Sequence, residues 1–423
     1  MRYRILAFLW FIALIAYVQR AAISVPLKEI GRDFSLTDAI RQLGLVQSAW
    51  YFGYAVFQLP SGWLADRIGG RRGLMIYAVL WSLATALTGV AHSYWGLLAA
   101  WTFMGSLQAG VFPCAVKSIG LVFTEQERAR ASGLLTSGML AGGTIAPLLT
   151  AWLLETLAPI ATAWQTERWR LCLWLYALPG IAWVAAFQFG TRAPAFEGAS
   201  TTRTRPRPVA WGRLFASGPM WLLCVQQFLR AAGMVFFLTW FPTFLRETRG
   251  VSMLQSGVLT TYAGAAGMLG TLLGGFSSDW IFKRTGRKRL SRQGIAVAGM
   301  ASCAILILIS YFIADVTAAI ALISLGAFCA TFGGVSGYTV AIDFGGGRVG
   351  TVFGAMNMCG ALGAMLFPVT VGWLVSSTGN WNMALFTFAG LMAIDAVCWA
   401  LLNTPGTLFG DETEAVATAR PSI

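Results

Sequence analysis

Two arginines lie inside long apolar stretches of this chain. Arg20 stands near the end of a run that begins near Ile5, and Arg230 lies within VQQFLRAAGMVFF. A guanidinium keeps its charge, and holding it in hydrocarbon is costly unless it faces a polar cavity or a partner. It also pairs with a carboxylate or phosphate through two parallel hydrogen bonds. The chemistry that these residues favour is therefore recognition of an anion.

The two arginines stand in similar sequence, about half of the 423-residue chain apart. Arg20 lies in QRAA (19–22) and Arg230 in LRAA (229–232). A single arginine of this kind could extend its side chain to the membrane surface. Two matching arginines in two halves instead favour a shared cavity, with one charge supplied by each half.

Neutral polar side chains in other apolar runs could hydrogen-bond the hydroxyl groups of such an anion. Glutamine and asparagine also join helices to one another within membrane bundles, and tyrosine also serves as packing, so both roles stay open. The candidate substrate-binding residues beside the arginines are Tyr17, Gln19, Tyr54, Gln58, Gln108 and Asn357.

Composition indicates a protein that crosses the membrane several times. Hydrophobic residues make up 57% of the chain and charged residues 11%, whereas soluble proteins carry about 25% charged residues. The net charge of +13 is spread over loops, which argues against a nucleic-acid partner. Seven scattered cysteines without a C-x-x-C pair, and a single histidine, predict no metal, no cofactor and no enzymatic activity.

Twelve apolar runs are long enough to span a bilayer, and a backbone in lipid must satisfy its own hydrogen bonds, so we expect helices. The predicted fold is an all-α membrane protein of two six-helix pseudo-repeats around a central cavity. The expected divisions are a bundle at 1–190, a linker at 191–216, a bundle at 217–403 and a tail at 404–423. The predicted runs lie at 5–27, 44–66, 73–91, 95–122, 130–154, 169–190, 217–244, 255–282, 292–314, 316–341, 348–378 and 381–403.

Basic residues predict the orientation in the membrane. Most of them fall in loops on the side of the membrane that would hold both termini. The positive-inside rule predicts that this side is cytoplasmic. The expected location is the inner or plasma membrane of the cell. Lys117 lies within a span near the same side, and we expect it to extend to the surface. We further expect a monomer.

Two loops repeat between the halves and resemble a known signature. GWLADRIGGRR (62–72) and the weaker copy GGFSSDWIFKRTGRKR (274–289) each follow the second helix of their half. The first resembles the signature loop of the major facilitator superfamily, and the resemblance extends over the whole chain. It implies a gate that opens and closes during transport. The predicted gating residues are Asp66, Arg67, Arg71, Arg72 and Asp279.

Within that superfamily the chain resembles the anion:cation symporters, which carry sugar acids and other organic anions. The matching segments are YVQRAAISVP, GYAVFQLPSGWLADR, FPCAV and LTWFPTFLRETRG. The resemblance implies that Arg20 binds the anion and that Tyr54 lines the site. Arg230 is similar to the seventh-helix arginine of vesicular glutamate transporters and glycerol-3-phosphate antiporters.

The chain departs from that family at positions associated with proton coupling. Gln19 stands where the family has an acid, Gln108 replaces a glutamate, and Trp101 stands where many members have arginine. Met139 takes the place of a glutamine, or of the histidine found in organophosphate antiporters. This difference weakens the case for an organophosphate substrate. Because a glutamine cannot titrate, we expect weak or absent proton coupling through the usual positions.

Asp395 is the one acid that the sequence places at the middle of a span, and it is the candidate proton site. The competing interpretation is a neutral packing residue on a peripheral helix. A proton or sodium is the candidate coupling ion. The predicted function is a secondary carrier of a small organic anion such as a sugar acid. An organophosphate exchanger, a drug or lipid exporter and a non-transporting membrane sensor remain alternatives.

Overall fold

The computed structural model describes residues 1–36, 39–191, 196, 209–404 and 406–410. In that part of the chain the regular structure is helical. The N-terminal half contains α1 (Arg2–Arg20), α2 (Leu27–Asp33), α3 (Ala39–Ile68), α4 (Gly70–Gly89), α5 (Tyr94–Gln108), α6 (Val111–Val122), α7 (Arg128–Ala163) and α8 (Arg168–Gly190).

The C-terminal half repeats this plan. It contains α9 (Trp211–Ala216), α10 (Gly218–Thr239), α11 (Phe241–Arg249), α12 (Met253–Thr285), a π-helical turn (Leu290–Gly294), α13 (Ile295–Tyr311), α14 (Val316–Gly345), a 3₁₀ turn (Gly346–Arg348), α15 (Val349–Thr378) and α16 (Asn382–Leu401). Most of the predicted linker, and the tail from 411 to 423, lie outside the described residues.

The described helices account for the twelve predicted spans. Eight segments are long and apolar enough to cross a membrane by length and composition. One of the eight, Val316–Thr378, holds the two successive helices α14 and α15. The remaining spans are α3, α4 and α12, whose lengths are 30, 20 and 33 residues. The predicted twelve-helix fold is therefore confirmed.

Two predicted runs are interrupted in the structure, and the run at 217–244 is divided between α10 and α11 at Trp240. The run at 95–122 forms α5 and α6 with a break between Gln108 and Val111. At this break a Cβ on Gly110 would lie 2.1 Å from the ring of Tyr77, so only glycine lets α4 pass this close. The break lies directly after Gln108, one of the candidate site residues.

The two halves meet along two helix pairs related by the repeat. In one pair α3 packs on α15, where Gly62 faces Gly350 and Gly354. In the other, α7 packs on α12, where Gly133 and Gly275 lie against the partner backbone. Small residues allow two helix backbones to approach this closely. The central site lies between these two seams.

Candidate functional site

Three aromatic rings surround the guanidinium of Arg20 at the end of α1. Its carbon lies 4.3 Å from the ring centre of Tyr17, 4.1 Å from that of Trp50 and 4.8 Å from that of Tyr54. Tyr17 is one turn before Arg20 on α1, and Trp50 and Tyr54 are one turn apart on α3. The electron-rich ring faces stabilise the cation without a negative partner.

Packing fixes the aromatic side of this cage. The rings of Trp50 and Tyr54 stack with centres 4.8 Å apart at 17°. The indole N–H of Trp50 donates to the sulfur of Met104 at 3.0 Å, and Gly105 lets α5 approach the Trp50 backbone. Trp50 is fully buried. Sequence reasoning did not select it, because nothing in the sequence separates it from the other seventeen tryptophans.

The guanidinium of Arg20 retains hydrogen-bonding capacity. Its Nε and Nη2 atoms are buried and have no hydrogen-bond partner in the described part of the chain. Among the described residues no carboxylate forms an ion pair with Arg20 or with Arg230. A buried donor left unpaired costs stability, and a charged donor costs more. The arrangement is therefore suited to an anion that supplies the missing acceptors.

A chain of hydrogen bonds joins the two arginines across the two halves. The side-chain amide of Asn357 on α15 donates to the hydroxyl of Tyr54 at 3.2 Å. The side-chain amide of Gln227 on α10 donates to the side-chain oxygen of Asn357 at 3.5 Å. Arg230 donates to the side-chain amide oxygen of Gln227 from Nε at 3.3 Å and from Nη2 at 2.9 Å. We call Arg20, Tyr54, Asn357, Gln227 and Arg230 the polar bridge.

The polar bridge contains four predicted site residues and one that sequence reasoning missed. Gln227 precedes Arg230 by one helical turn, as Tyr17 precedes Arg20, and this spacing was the available signal. Arg230 itself lies against Gly334 of α14, where a Cβ would come within 3.1 Å of its side chain.

The three predicted glutamines differ in their environments. Gln19 turns into the N-terminal half, where it accepts from the indole of Trp81 at 2.5 Å and donates to the backbone of Tyr176. The structure therefore does not bring Gln19 to the arginines. Gln108 donates to the carbonyl of Ala16 at 2.9 Å, and its own carbonyl oxygen is unpartnered.

Gln58 is buried, and neither its amide nitrogen nor its amide oxygen has a partner among the described side chains and backbone. It lies one turn beyond Tyr54 on α3, which places it on the face that lines the site. The amides of Gln58 and Gln108 thus add unpaired acceptors and donors that suit ligand hydroxyl groups.

Asp66 contacts the opposite half at one end of the molecule, which we call the gate end. Its carboxylate accepts from the backbone N–H of Gly350 at 2.9 Å and of Thr351 at 2.7 Å, and from the Thr351 hydroxyl at 2.7 Å. These groups begin α15, so the carboxylate of one half neutralises the helix terminus of the other. The side chain of Asp66 is only 1% exposed.

Asp279 makes the corresponding contact in the other direction. It accepts from the backbone N–H of Ala129 at 3.3 Å and of Arg130 at 2.8 Å, at the start of α7. Each acid also has a basic partner in its own half: Lys117 lies 2.9 Å from Asp66, and Arg292 lies 2.9 Å from Asp279. The two halves therefore exchange equivalent gate contacts.

The structure gives the signature-loop arginines surroundings other than Asp66, and their gating role stays a prediction. Arg71 donates to Gln188 of α8 and to Thr191, which follows that helix, and both lie in the same half as Arg71. Arg67 lies 3.9 Å from the ring centre of Trp63, and Arg72 is exposed. Gly69, with φ of 83°, turns the chain between α3 and α4. The basic partner is Lys117, which was wrongly expected to extend to the surface.

Further ionic contacts join the halves at the gate end. Arg128 pairs with Asp343 at 2.5 Å, Lys288 pairs with Glu125 at 2.8 Å, and Arg292 donates to the Glu125 carbonyl at 2.7 Å. The gate end is thus closed by contacts on both seams.

We expect Asp66→Asn to slow exchange of substrate about 10-fold and to change its Kd by less than about threefold. The amide keeps the shape but loses the charge that Lys117 and the α15 terminus stabilise, so closure at the gate end is weakened. Exchange in proteoliposomes and binding by calorimetry measure the two effects separately.

Asp315→Asn is the matched control, because Asp315 caps its own helix α14 and is exposed. A large loss of affinity in Asp66→Asn with unimpaired exchange would contradict the gating role.

Asp395 lies on α16, which packs against the helix that carries Arg230, and it forms no hydrogen bond to the polar bridge in the described structure. It is fully buried, and neither carboxylate oxygen has a hydrogen-bond partner in the described structure. Its role as a proton site stays a prediction.

Comparison with known proteins identifies similar sequences and a similar fold. A family model described as the Major Facilitator Superfamily matches residues 9–368. A probable sulfoacetate transporter of Cupriavidus necator is 30% identical over 95% of this chain and 94% of its own length. A probable galactarate/D-glucarate transporter of Escherichia coli K12 is 27% identical over 94% and 92%. The solved proton:xylose symporter XylE superposes with a TM-score of 0.75 at 15% identity, covering 98% of both chains.

Proposed function

Because this chain belongs to the Major Facilitator Superfamily, we propose that it moves a small organic anion across the membrane by alternating access. The observation that carries this proposal is the polar bridge. Two arginines from opposite halves lie in one hydrogen-bonded chain, and no acid among the described residues pairs with either. An anion bound between them would contact both halves at once.

The charge of the site favours a substrate with two acidic groups. Arg20 and Arg230 together supply two positive charges, and each guanidinium can bind one carboxylate or sulfonate in a bidentate manner. Sulfoacetate, galactarate and D-glucarate, for which the two relatives described above are named, each carry two acidic groups. The unpaired amides of Gln58 and Gln108 would bind hydroxyl groups along the chain that joins them.

Transport requires that the two halves move against each other. We infer that residues 1–190 and 217–403 rock as two bundles around the site, joined by 191–216. The basic loops support a cytoplasmic gate end by the positive-inside rule. With the gate end closed, the described conformation would receive substrate from the outer side. Binding between the arginines lets the gate contacts break and the inner side open.

A thermal-shift screen of the purified protein tests the substrate class. Sugar diacids, sulfoacetate, monocarboxylates, phosphate esters and neutral sugars are compared at equal concentration. A ligand at 100 times its Kd stabilises the folded state by about 2.7 kcal/mol. We expect diacids to raise Tm most, and Arg20→Gln to remove that shift. A larger shift with phosphate esters would favour organophosphate exchange.

Proton coupling is expected to be weak. Gln19 and Gln108 cannot titrate, and the side chain of Gln19 is engaged in hydrogen bonds with Trp81 and the backbone of Tyr176. A gradient of about one pH unit supplies about 1.36 kcal/mol per proton and would drive about tenfold accumulation in a coupled carrier. We predict less than about twofold accumulation in proteoliposomes with that gradient.

Asp395→Asn is the variant to compare, since Asp395 is the remaining candidate proton site. Strong stimulation that disappears in Asp395→Asn would assign coupling to that residue. Strong stimulation that the variant retains would contradict both the prediction and the candidate site.

A further inference from the structure

A surface cavity lies at the gate end, on the outside of the C-terminal half. It has a volume of about 570 Å³ and lies between the π-helical turn before α13 and the end of α16. Its lining includes the basic residues Arg287, Lys288 and Arg289 at one rim, and Leu290, Val297 and Trp399 as apolar walls. It is separate from the polar bridge.

Two buried polar groups that line this cavity have unused hydrogen-bonding atoms. Trp399 is fully buried, and its indole N–H has no acceptor in the described residues. Gln293 is 6% exposed, and its carbonyl oxygen has no donor there. Buried polar atoms in folded proteins are nearly always paired. A ligand that shifted the side chains around these two atoms would supply the acceptor and the donor that they lack, while its apolar part contacted the walls.

The turn that lines this cavity also carries Arg292, which contacts Asp279 at the gate end. Leu290–Gly294 is a π-helical turn, a local widening that often accompanies functional sites. Arg292 on this turn points the other way, to Ser278 and Asp279 at the gate. Lys288 at the cavity rim forms the cross-half pair with Glu125. One short segment thus connects the cavity rim to the contacts that close the gate end.

The surroundings of the cavity suit a membrane surface. The flanking residues Leu290, Val397 and Leu401 are 49%, 56% and 64% exposed, as expected for side chains that face acyl chains. Arg287 and Lys288 are exposed beside them. Apolar surface next to clustered basic residues at a helix end is the arrangement that binds anionic lipid headgroups.

We propose that this cavity binds an anionic phospholipid of the leaflet at the gate end. The phosphate would lie among Arg287, Lys288 and Arg289, the indole N–H of Trp399 would donate to a headgroup or ester oxygen, and the acyl chain would follow Leu290 and Val297. A free phosphate would satisfy the basic rim but would leave the apolar walls unused.

Lipid retention by the purified protein tests this assignment. Wild type and Arg287→Gln/Arg289→Gln are extracted from nanodiscs that contain phosphatidylcholine with phosphatidylglycerol, and bound lipid is counted by native mass spectrometry. We expect wild type to retain phosphatidylglycerol over phosphatidylcholine, and the double variant to lose retained lipid about 10-fold or more. Trp399→Phe removes the N–H but keeps an aromatic ring, and a smaller loss is expected.

The matched control is Lys283→Gln/Arg284→Gln, which removes the same charge from exposed positions in the last turn of α12, outside the cavity lining. Equal loss in this control would overturn the proposal, because general surface charge would then explain retention. Displacement of the lipid by millimolar inorganic phosphate would also overturn it in favour of a free-anion site. Unchanged melting temperatures confirm that the variants are folded.

Discussion

Arg20→Gln is expected to lower kcat/KM for anion uptake by at least about 30-fold and to abolish measurable binding. Removing one partner of a desolvated, hydrogen-bonded charge pair costs about 2–5 kcal/mol, and each 1.4 kcal/mol is a factor of ten. Arg20 meets these conditions, because Tyr17, Trp50 and Tyr54 shield it and two of its nitrogens await acceptors. Uptake and binding are measured on the same preparations.

Companion variants separate charge from geometry. Arg20→Lys keeps the charge but loses the planar fork and its fit between the rings, so most of the activity should be lost as well. Arg230→Gln should give a comparable loss, since Arg230 supplies the second charge of the polar bridge. Arg284→Gln, an exposed arginine outside the site, is the control. Normal transport by Arg20→Gln or Arg230→Gln would exclude the proposed anion clamp.

Gly62→Ala is expected to reduce transport at least about tenfold while the protein still binds substrate. A Cβ at this position would lie 2.1 Å from the carbonyl oxygen of Gly350 in the other half, well inside van der Waals contact. Because the obstacle is backbone, the α3–α15 seam cannot close at the gate end. The conformation with that end open should therefore become more populated. Cysteine labelling at the gate end would detect this shift.

Gly44→Ala is the matched control, because Gly44 lies on the same helix and a Cβ there meets no atom within 4 Å. It should transport as wild type does. If Gly62→Ala transported normally and the labelling pattern did not change, closure of this seam would not be part of the cycle.

The elements of the fold were predictable because the membrane imposes strong constraints on sequence. A span needs a long apolar helix, so twelve runs predicted twelve helices, and the repeated loops GWLADRIGGRR and GGFSSDWIFKRTGRKR indicated the superfamily. The matching segments around Arg20 and Arg230 indicated an anion carrier. The superfamily and the organic-anion class of the relatives agree with those predictions.

The partners of individual side chains were less predictable, because they depend on helix rotation and on segments distant in sequence. Gln19 and Arg20 are adjacent, yet the Gln19 side chain accepts a hydrogen bond from Trp81, whereas the Arg20 side chain lies in the aromatic cage. Lys117 pairs with Asp66, 51 positions away, rather than reaching the surface. Trp50 carried no feature that separated it from the other tryptophans, and the only signal for Gln227 was its spacing of one helical turn before Arg230.

Counterflow in proteoliposomes tests the central claim most directly. Vesicles loaded with unlabelled D-glucarate, galactarate or sulfoacetate receive the labelled anion outside, with no ion gradient, and internal label is followed over time. A carrier with its anion between Arg20 and Arg230 predicts transient accumulation of label in wild type and none in Arg20→Gln. Tight binding of these anions without any accumulation by wild type would show a sensor and contradict the claim.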